Sequence, residues 1–210
     1  MYADALQETV SALTVNGFEV HQATTSAHAA DIILNRIVPT VEPEIVSFGD
    51  SMTLMETGVL DAFRNDPAIN FIDTFEQDVD RSEIIERRRR ALLSDLFLTG
   101  SNAVTQNGKL VNLDMVGNRV GGIVFGPRHV VIAVGVNKIV PDANAAVRRI
   151  REVAAPKNAL RHNAKTPCAK TGRCMDCKSP DRICNVWTIT DKSWPKGRIK
   201  VVLIDQELGL

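Results

Sequence analysis

The sequence predicts an α/β domain built on a mostly parallel sheet with a hairpin inserted, and three observations carry that prediction. Short apolar runs such as "EIVSFG" and "IKVVLID" alternate with stretches whose apolar residues recur at helical spacing. The run "HVVIAVG" is apolar almost throughout, as expected for a strand buried on both faces. Asn107-Gly108 separates two extended runs and is the dipeptide favoured in tight hairpin turns. At 210 residues, 44% hydrophobic and 24% charged, the chain has the size and composition of one domain with a substantial core.

The elements follow in order. Ala5, Leu6, Thr9, Val10 and Leu13 share one helical face, and Asn16-Gly17 stops that helix. "FEVHQA" reads as a short strand. "SAHAADIILNRIV" is a second helix, with Thr25 or Ser26 as its N-cap and Pro39 as its end. "EIVSFG" is a buried strand, and "SMTLMETGVLDAF" starts a helix directly after it. "INFID" is another strand. "DRSEIIERRRRALLSD" is a helix with Ile84, Ile85, Leu92 and Leu93 inward and Arg87–Arg90 as its solvated face, from which one arginine is free to turn towards an anion. "LFLTGSNAVTQNGKLVNLD" holds the hairpin. "DANAAVRRIREVA" is a helix capped by Asp142, and "VWTIT" and "IKVVLID" form a final pair of strands.

No apolar run approaches the roughly 20 residues a membrane-spanning helix needs, and "MYADALQETV" lacks the basic start and apolar centre of a secretory signal. The expected location is the cytoplasm, where thiols stay reduced. Twenty-five bases balance 25 acids, but unevenly. Residues 1–100 carry 17 acids and 7 bases, whereas residues 157–200 carry 3 acids and 11 bases. The basic stretch lacks interleaved aromatics and Arg-Gly-Gly runs, which argues against nucleic acid and for solvated side chains. Those bases would also offset the negative charge of a thiolate-ligated cluster.

Four segments carry candidate ligand chemistry. In "FGDSMTLMETG" a strand meets a helix start through Gly49. Backbone N–H groups and the hydroxyls of Ser51 and Thr53 are placed there to meet a phosphate or carboxylate. Glu56, one turn on, is a candidate base or the partner of Thr53 in a capping box. Ordinary helix capping explains the same residues. "TGSNAV" ends another strand and offers Asn102; a plain turn explains it equally. In "NLDMVGNRVGGIVFGP", Asp114, Asn118 and Arg119 lie among glycines that let a guanidinium and backbone donors approach an anion together. The alternative is close packing with Arg119 paired to an acid. In "VGVNKIV", Asn137 and Lys138 follow the buried strand at its carboxyl end, where Lys138 is a candidate anion-binding or catalytic group. The four histidines form no ligand pattern, although His162 lies near the cysteines.

All four cysteines fall in "PCAKTGRCMDCKSPDRICNVW" with the spacing C-x5-C-x2-C-x6-C: Cys168, Cys174, Cys177 and Cys184. A C-x2-C pair lets two thiolates of one turn reach the same metal, and two flanking cysteines complete four ligands. Zinc sites usually show two such pairs around a long spacer. Three unequal gaps, with Lys170, Arg173, Lys178 and Arg182 alongside, favour a 4Fe–4S cluster, with zinc as the alternative. Residues 165–186 are therefore expected to form a cysteine-rich metal-binding loop.

Taken together, "GDSMTLMETG", "TGSNAVTQNGKLVNLDMVGNRVGGIVFGP", "VGVNKIV" and "KVVLIDQELGL" resemble the LUD (lactate utilisation, formerly DUF162) family over nearly the whole chain. The resemblance implies a single domain over 1–210 with a three-layer sandwich like that of sugar-phosphate isomerases and CoA transferases. It implies a part in lactate or related organic-acid utilisation alongside iron–sulfur protein partners. It also implies a small carboxylate or phosphate ligand near Gly49, Ser51, Thr53, Asn118, Arg119 and Lys138. The four-cysteine loop departs from the lactate-utilisation subunit pattern and puts lactate itself in question. The competing readings are a non-redox isomerase or acyl-transferase using Glu56, and a metabolite-sensing assembly protein, each with structural zinc. The sequence leaves the oligomeric state open, a homo-oligomer included.

Overall fold

The computed structural model describes residues 2–210. Its centre is a six-stranded sheet in the order β1 (Glu19–Ala23), β10 (Ile199–Ile204), β7 (His129–Gly135), β4 (Leu96–Gly100), β2 (Ile45–Phe48) and β3 (Asn70–Ile72). Every pairing in it is parallel. Alternate residues of a strand point to opposite faces, and β7 shows this directly. Val131 and Ala133 join one core with Ile32, Ile33, Leu54 and Phe63, while Val130, Ile132 and Val134 join the other with Leu6, Leu13 and Ile123. Helices therefore cover both faces. On the first lie α2 (Ser26–Ile32), α3 (Val38–Val41), α4 (Met52–Met55) and α5 (Val59–Asn65); on the second lie α1 (Tyr2–Val15) and α7 (Asn118–Val124). The fold is α/β, a three-layer arrangement with a mostly parallel central sheet.

A second sheet runs β8 (Ile139–Val140), β5 (Ala103–Thr105), β6 (Leu110–Asp114), β9 (Val186–Thr190). The hairpin expected at Asn107-Gly108 joins β5 to β6 antiparallel. Gly108 has φ +78°, and a Cβ there would lie 2.6 Å from the Ala12 carbonyl carbon, so α1 docks directly on the turn. Ala103, Val111 and Leu113 of this sheet pack against Ala146, Ile150 and Ala155 of the helical run after β8. That run comprises α8 (Ala143–Arg149), a π turn, and α9 (Ala155–Arg161).

The local signals were sound: Thr25 accepts His28 N–H, and Asp142 accepts Ala145 N–H, as N-caps. Pro39 does not end its helix. A π turn, Ile33–Ile37, precedes it, with Val38 N–H reaching Ile33 O, and α3 carries on through the proline. Residues 150–154 repeat the device ahead of Pro156, with Ala155 N–H reaching Ile150 O. The widened turn lets the chain continue where a proline has no N–H to donate. The helix expected over 51–63 breaks at Gly58 (φ +74°) into α4 and α5. In α6 (Arg81–Ala91), Ile85 faces solvent, and Leu93 lies past the helix end at 80% exposure. The last two strands do not pair with each other; β9 edges the second sheet and β10 sits inside the first. No helix among the described residues is long and apolar enough to cross a membrane.

Phe97 is wedged at the centre of the second face. It is 1% exposed, and a Cβ on Gly122 or Gly49 would come within 2.7 or 3.0 Å of its ring. Phe97→Ala is expected to lower the unfolding free energy by about 3–5 kcal/mol in urea denaturation. A loss below about 1 kcal/mol would show that the core collapses around the missing ring.

Candidate functional site

The carboxyl ends of β2, β4 and β7 lie side by side, Phe48 level with Leu98 and Gly100 level with Ala133. The chain leaves them through Gly49–Ser51, Ser101–Asn102 and the tight turn Val136–Lys138. In parallel sheets such diverging loops leave a crevice beyond the strand ends, where ligands collect. The approach is close: a Cβ on Gly100 would lie 2.4 Å from Ser51 Oγ. Ser51 caps α4 by accepting Leu54 N–H at 3.2 Å. Thr53 sits inside the helix instead of capping it, and its hydroxyl donates to Leu208 O at 3.1 Å.

Arg119 is 7% exposed, and its guanidinium is spent on internal acceptors. One amino nitrogen donates to Gly100 O (3.1 Å) and Asn112 Oδ1 (2.9 Å). The other donates to Asn102 Oδ1 and Leu113 O, both at 2.8 Å. Asp114 Oδ2 accepts the backbone N–H groups of Arg119 and Val120, which starts α7. Asn102 also accepts Leu113 N–H, and its own N–H donates to Asn112. Arg119, Asn102 and Asp114 thus hold the crevice wall together through groups the sequence assigned to a ligand.

Lys138 is 5% exposed and donates to Thr53 Oγ1 at 2.7 Å. Burial, with Arg149 and Arg119 nearby, pushes its pKa down to about 7, and Glu56 opposes this only in part. The segment after β10 lies across it. Leu208 N–H donates to Asn137 Oδ1, Gly209 N–H donates to Glu56 Oε1 (3.2 Å), and Arg149 donates to Leu210 O (3.0 Å). Gly209 has φ +66°, and a Cβ on it would stand 2.5 Å from Thr53 Oγ1 and 3.1 Å from Lys138 Nζ. Only glycine lets the backbone approach that amine so closely.

A cavity of about 390 Å³ occupies the crevice. Among the expected residues, Ser51, Asn102, Asp114, Asn118, Arg119 and Lys138 line it. Gly49, Thr53, Glu56 and Asn137 stand behind or beside it, and Glu56 is the exposed C-cap of α4. Sequence reasoning missed Asp50, Arg161 and His162, which form a charged cluster on the lining. Asp50 Oδ2 accepts from Arg161 and lies 2.9 Å from His162 Nε2. Burial raises the Asp50 pKa, but these two partners outweigh it and hold the carboxyl below the usual range. Asp50 Oδ1 is buried with no partner among the described residues. Arg88 is the arginine that turns inward; it stacks on Phe75, lines the cavity, and its Nε has no partner among the described residues.

The cysteine loop folds back over this crevice, since Asp181 and Ile183 line the cavity. All four thiols are free, and Cys168 is buried beside the Thr166 hydroxyl, 3.3 Å away. Arg182 braces the loop by donating to Cys177 O (2.6 Å) and Cys184 O (3.0 Å) and pairing with Asp176. Burial pushes the Cys184 thiol up; Arg182 pulls it down, and Cys174, Cys168 and Cys177 each push it further up. Four soft sulfur donors within electrostatic reach of one another fit a cluster or zinc chemically. Among the described residues, no three His, Cys, Asp or Glu side chains already converge as a metal-binding group.

The LUD domain family matches residues 6–204. The chain belongs to the LUD-domain family. A DUF162-family protein from Deinococcus radiodurans, solved by crystallography, is similar to this LUD domain with a TM-score of 0.54. The likeness covers 97% of this chain and 98% of that one at 13% identity, and it shows the fold. No curated protein matches this LUD chain in sequence. The four-cysteine motif is an extra on the LUD domain.

Arg119→Lys removes the planar fork and strands acceptors on both sheets, so a stability loss of about 3 kcal/mol is expected in denaturant unfolding. A near-neutral result would show that the acceptors find other donors. Lys138 binds a proton less readily folded than unfolded. Between about pH 7 and the ordinary lysine range the unfolded chain therefore holds the extra proton, and raising the pH favours the fold. Lys138→Met is expected to be more stable than the parent at pH 6, with that advantage shrinking as pH rises towards 10. A pH-independent difference in melting temperature would contradict the depressed lysine.

Proposed function

We propose that this LUD-domain chain is a subunit acting in lactate or related organic-acid utilisation. It binds a small carboxylate or phosphate ligand in the Ser51–Lys138 crevice and carries a 4Fe–4S cluster on Cys168, Cys174, Cys177 and Cys184. The observation that carries the reading is the shared wall: Asp181 and Ile183, between the third and fourth cysteines, line the same cavity as Lys138 and Ser51. A metal held by that loop would stand next to the bound acid rather than on a remote appendage.

The chain's own residues supply binding and orientation. Ser51 Oγ accepts from Leu54 and keeps its hydroxyl proton for a ligand oxygen. Arg88, whose Nε has no partner among the described residues, gives the lining positive charge against an anion, and Lys138, with a pKa of about 7, adds to it as the pH falls below that value. In the Asp50–Arg161–His162 cluster the one carboxylate is offset by Arg161, so the cluster adds no net negative charge to the same lining. When bound, an iron–sulfur cluster supplies one-electron transfer to and from protein partners. Arg182, held by two cysteine carbonyls, would offset part of its negative charge.

Protein purified anaerobically is expected to hold iron and acid-labile sulfide near stoichiometry, with broad visible absorbance that Cys177→Ser abolishes. Colourless protein carrying one zinc ion would remove the redox reading and leave a structural staple.

A further inference from the structure

We propose that Lys138 is a covalent nucleophile that forms a Schiff base with the carbonyl group of a small 2-oxo acid bound in the crevice. The proposal rests on the anion-binding reading above and names its substrate class; it does not depend on the cluster.

The hydrogen-bond directions around the amine carry it. Thr53 has one hydroxyl proton, and the Thr53 oxygen donates it to Leu208 O at 3.1 Å. Thr53 can therefore only accept from Lys138, which it does at 2.7 Å. The amine is fixed by one N–H, and in its neutral form the lone pair stays uncommitted. Glu56, the carboxylate that acts on its charge, accepts Gly209 N–H through Oε1. The Gly209 backbone packs close beside it, where a Cβ would stand 3.1 Å from Nζ and crowd the amine further.

The surroundings suit both the nucleophile and the acid. Lys138 is at once 5% exposed and on the cavity lining. Charged groups face it from three elements: Arg149 of α8, Arg119 of α7, and Glu56 at the end of α4. Burial foremost, and then two cations against one anion, disfavour positive charge on the amine, which is how a free amine becomes accessible near neutral pH. The same surplus favours a substrate that brings its own carboxylate. A cavity of about 390 Å³ lies at the small end of ligand pockets and suits a short acid.

The step balances without oxidant or reductant. The Nζ lone pair attacks the carbonyl carbon, a carbon–nitrogen bond forms, and the carbonyl oxygen leaves as water with the two amine hydrogens. The resulting imine makes the neighbouring carbon an acid, because its nitrogen can receive the electron pair.

The test is borohydride trapping on the intact chain with pyruvate or glyoxylate. The expected result is a mass gain equal to the acid less one oxygen atom, mapped to the peptide bearing Lys138. Trapping should rise as pH is raised through about 7, following the free amine. Lys138→Met and Lys138→Arg, checked for folding by thermal melting, should lose the adduct at least tenfold. L-lactate, which has a hydroxyl in place of the 2-oxo group, is the binding control. If lactate and pyruvate both stabilise the chain but borohydride leaves Lys138 unmodified, the Schiff base is overturned and the anion site stands. If neither acid stabilises the chain and no adduct forms, both readings fall. Adducts spread over exposed lysines and retained in Lys138→Met would likewise overturn it.

Discussion

The Arg119 guanidinium joins the central sheet to the smaller one, and the crevice depends on that joint. Gly100 closes β4 of the six-stranded sheet, while Asn112 and Leu113 belong to β6 of the other, and one side chain donates to all three. A charged group buried so fully is costly unless each donor finds an acceptor. The chain meets that demand with two carbonyls and two asparagine oxygens in place of an acid, since the Asp114 carboxylate is taken by the start of α7. The guanidinium stays charged in a neutral cage. Its field reaches Lys138 and, after burial and Arg149, helps to lower that amine's pKa. Structural need and site chemistry thus meet in one residue.

Much of the framework was legible because its signals are local. The near-continuous apolar run "HVVIAVG" identified a strand buried on both sides, and Thr25 and Asp142 announced their helices by cap chemistry alone. The failures were also physical. Proline usually marks a helix end, as expected at Pro39, but Pro39 and Pro156 each follow a π turn, whose wider hydrogen-bonded loop leaves room for a residue without an N–H. Carrying the helix past Pro156 is what delivers Arg161 and His162 to Asp50, a pairing across 111 residues that no local pattern encodes. Leu93 lay beyond the last helical turn, where periodicity no longer assigns a face.

The candidate site was half legible for a related reason. Gly-rich strand ends pointed to the right edge of the sheet, and Ser51, Asn118 and Lys138 do line the cavity. What composition could not separate was a polar residue that meets ligand from one that meets its own backbone. Asn102 and Arg119 look like anion binders in a sequence, yet the Asn102 side-chain oxygen and the Arg119 amino groups are used in joining loops. Asn137 and Thr53 hold the segment after β10 in place. The cysteine loop adds its own acid and isoleucine to the wall, so residues that read as an appendage help to shape the crevice.

The position of β10 has a consequence for how the chain is made. Among the described residues, 19–23 find their only strand partner in residues 199–204, which also separate them from β7. Until that late segment is available, the first strand has no ladder to join, and α1 has only part of its core. Closing such a span costs more chain entropy than pairing neighbours, and folds rich in distant contacts assemble slowly. A nascent chain emerging from the ribosome would therefore hold an unpaired edge until almost all of this sequence had appeared.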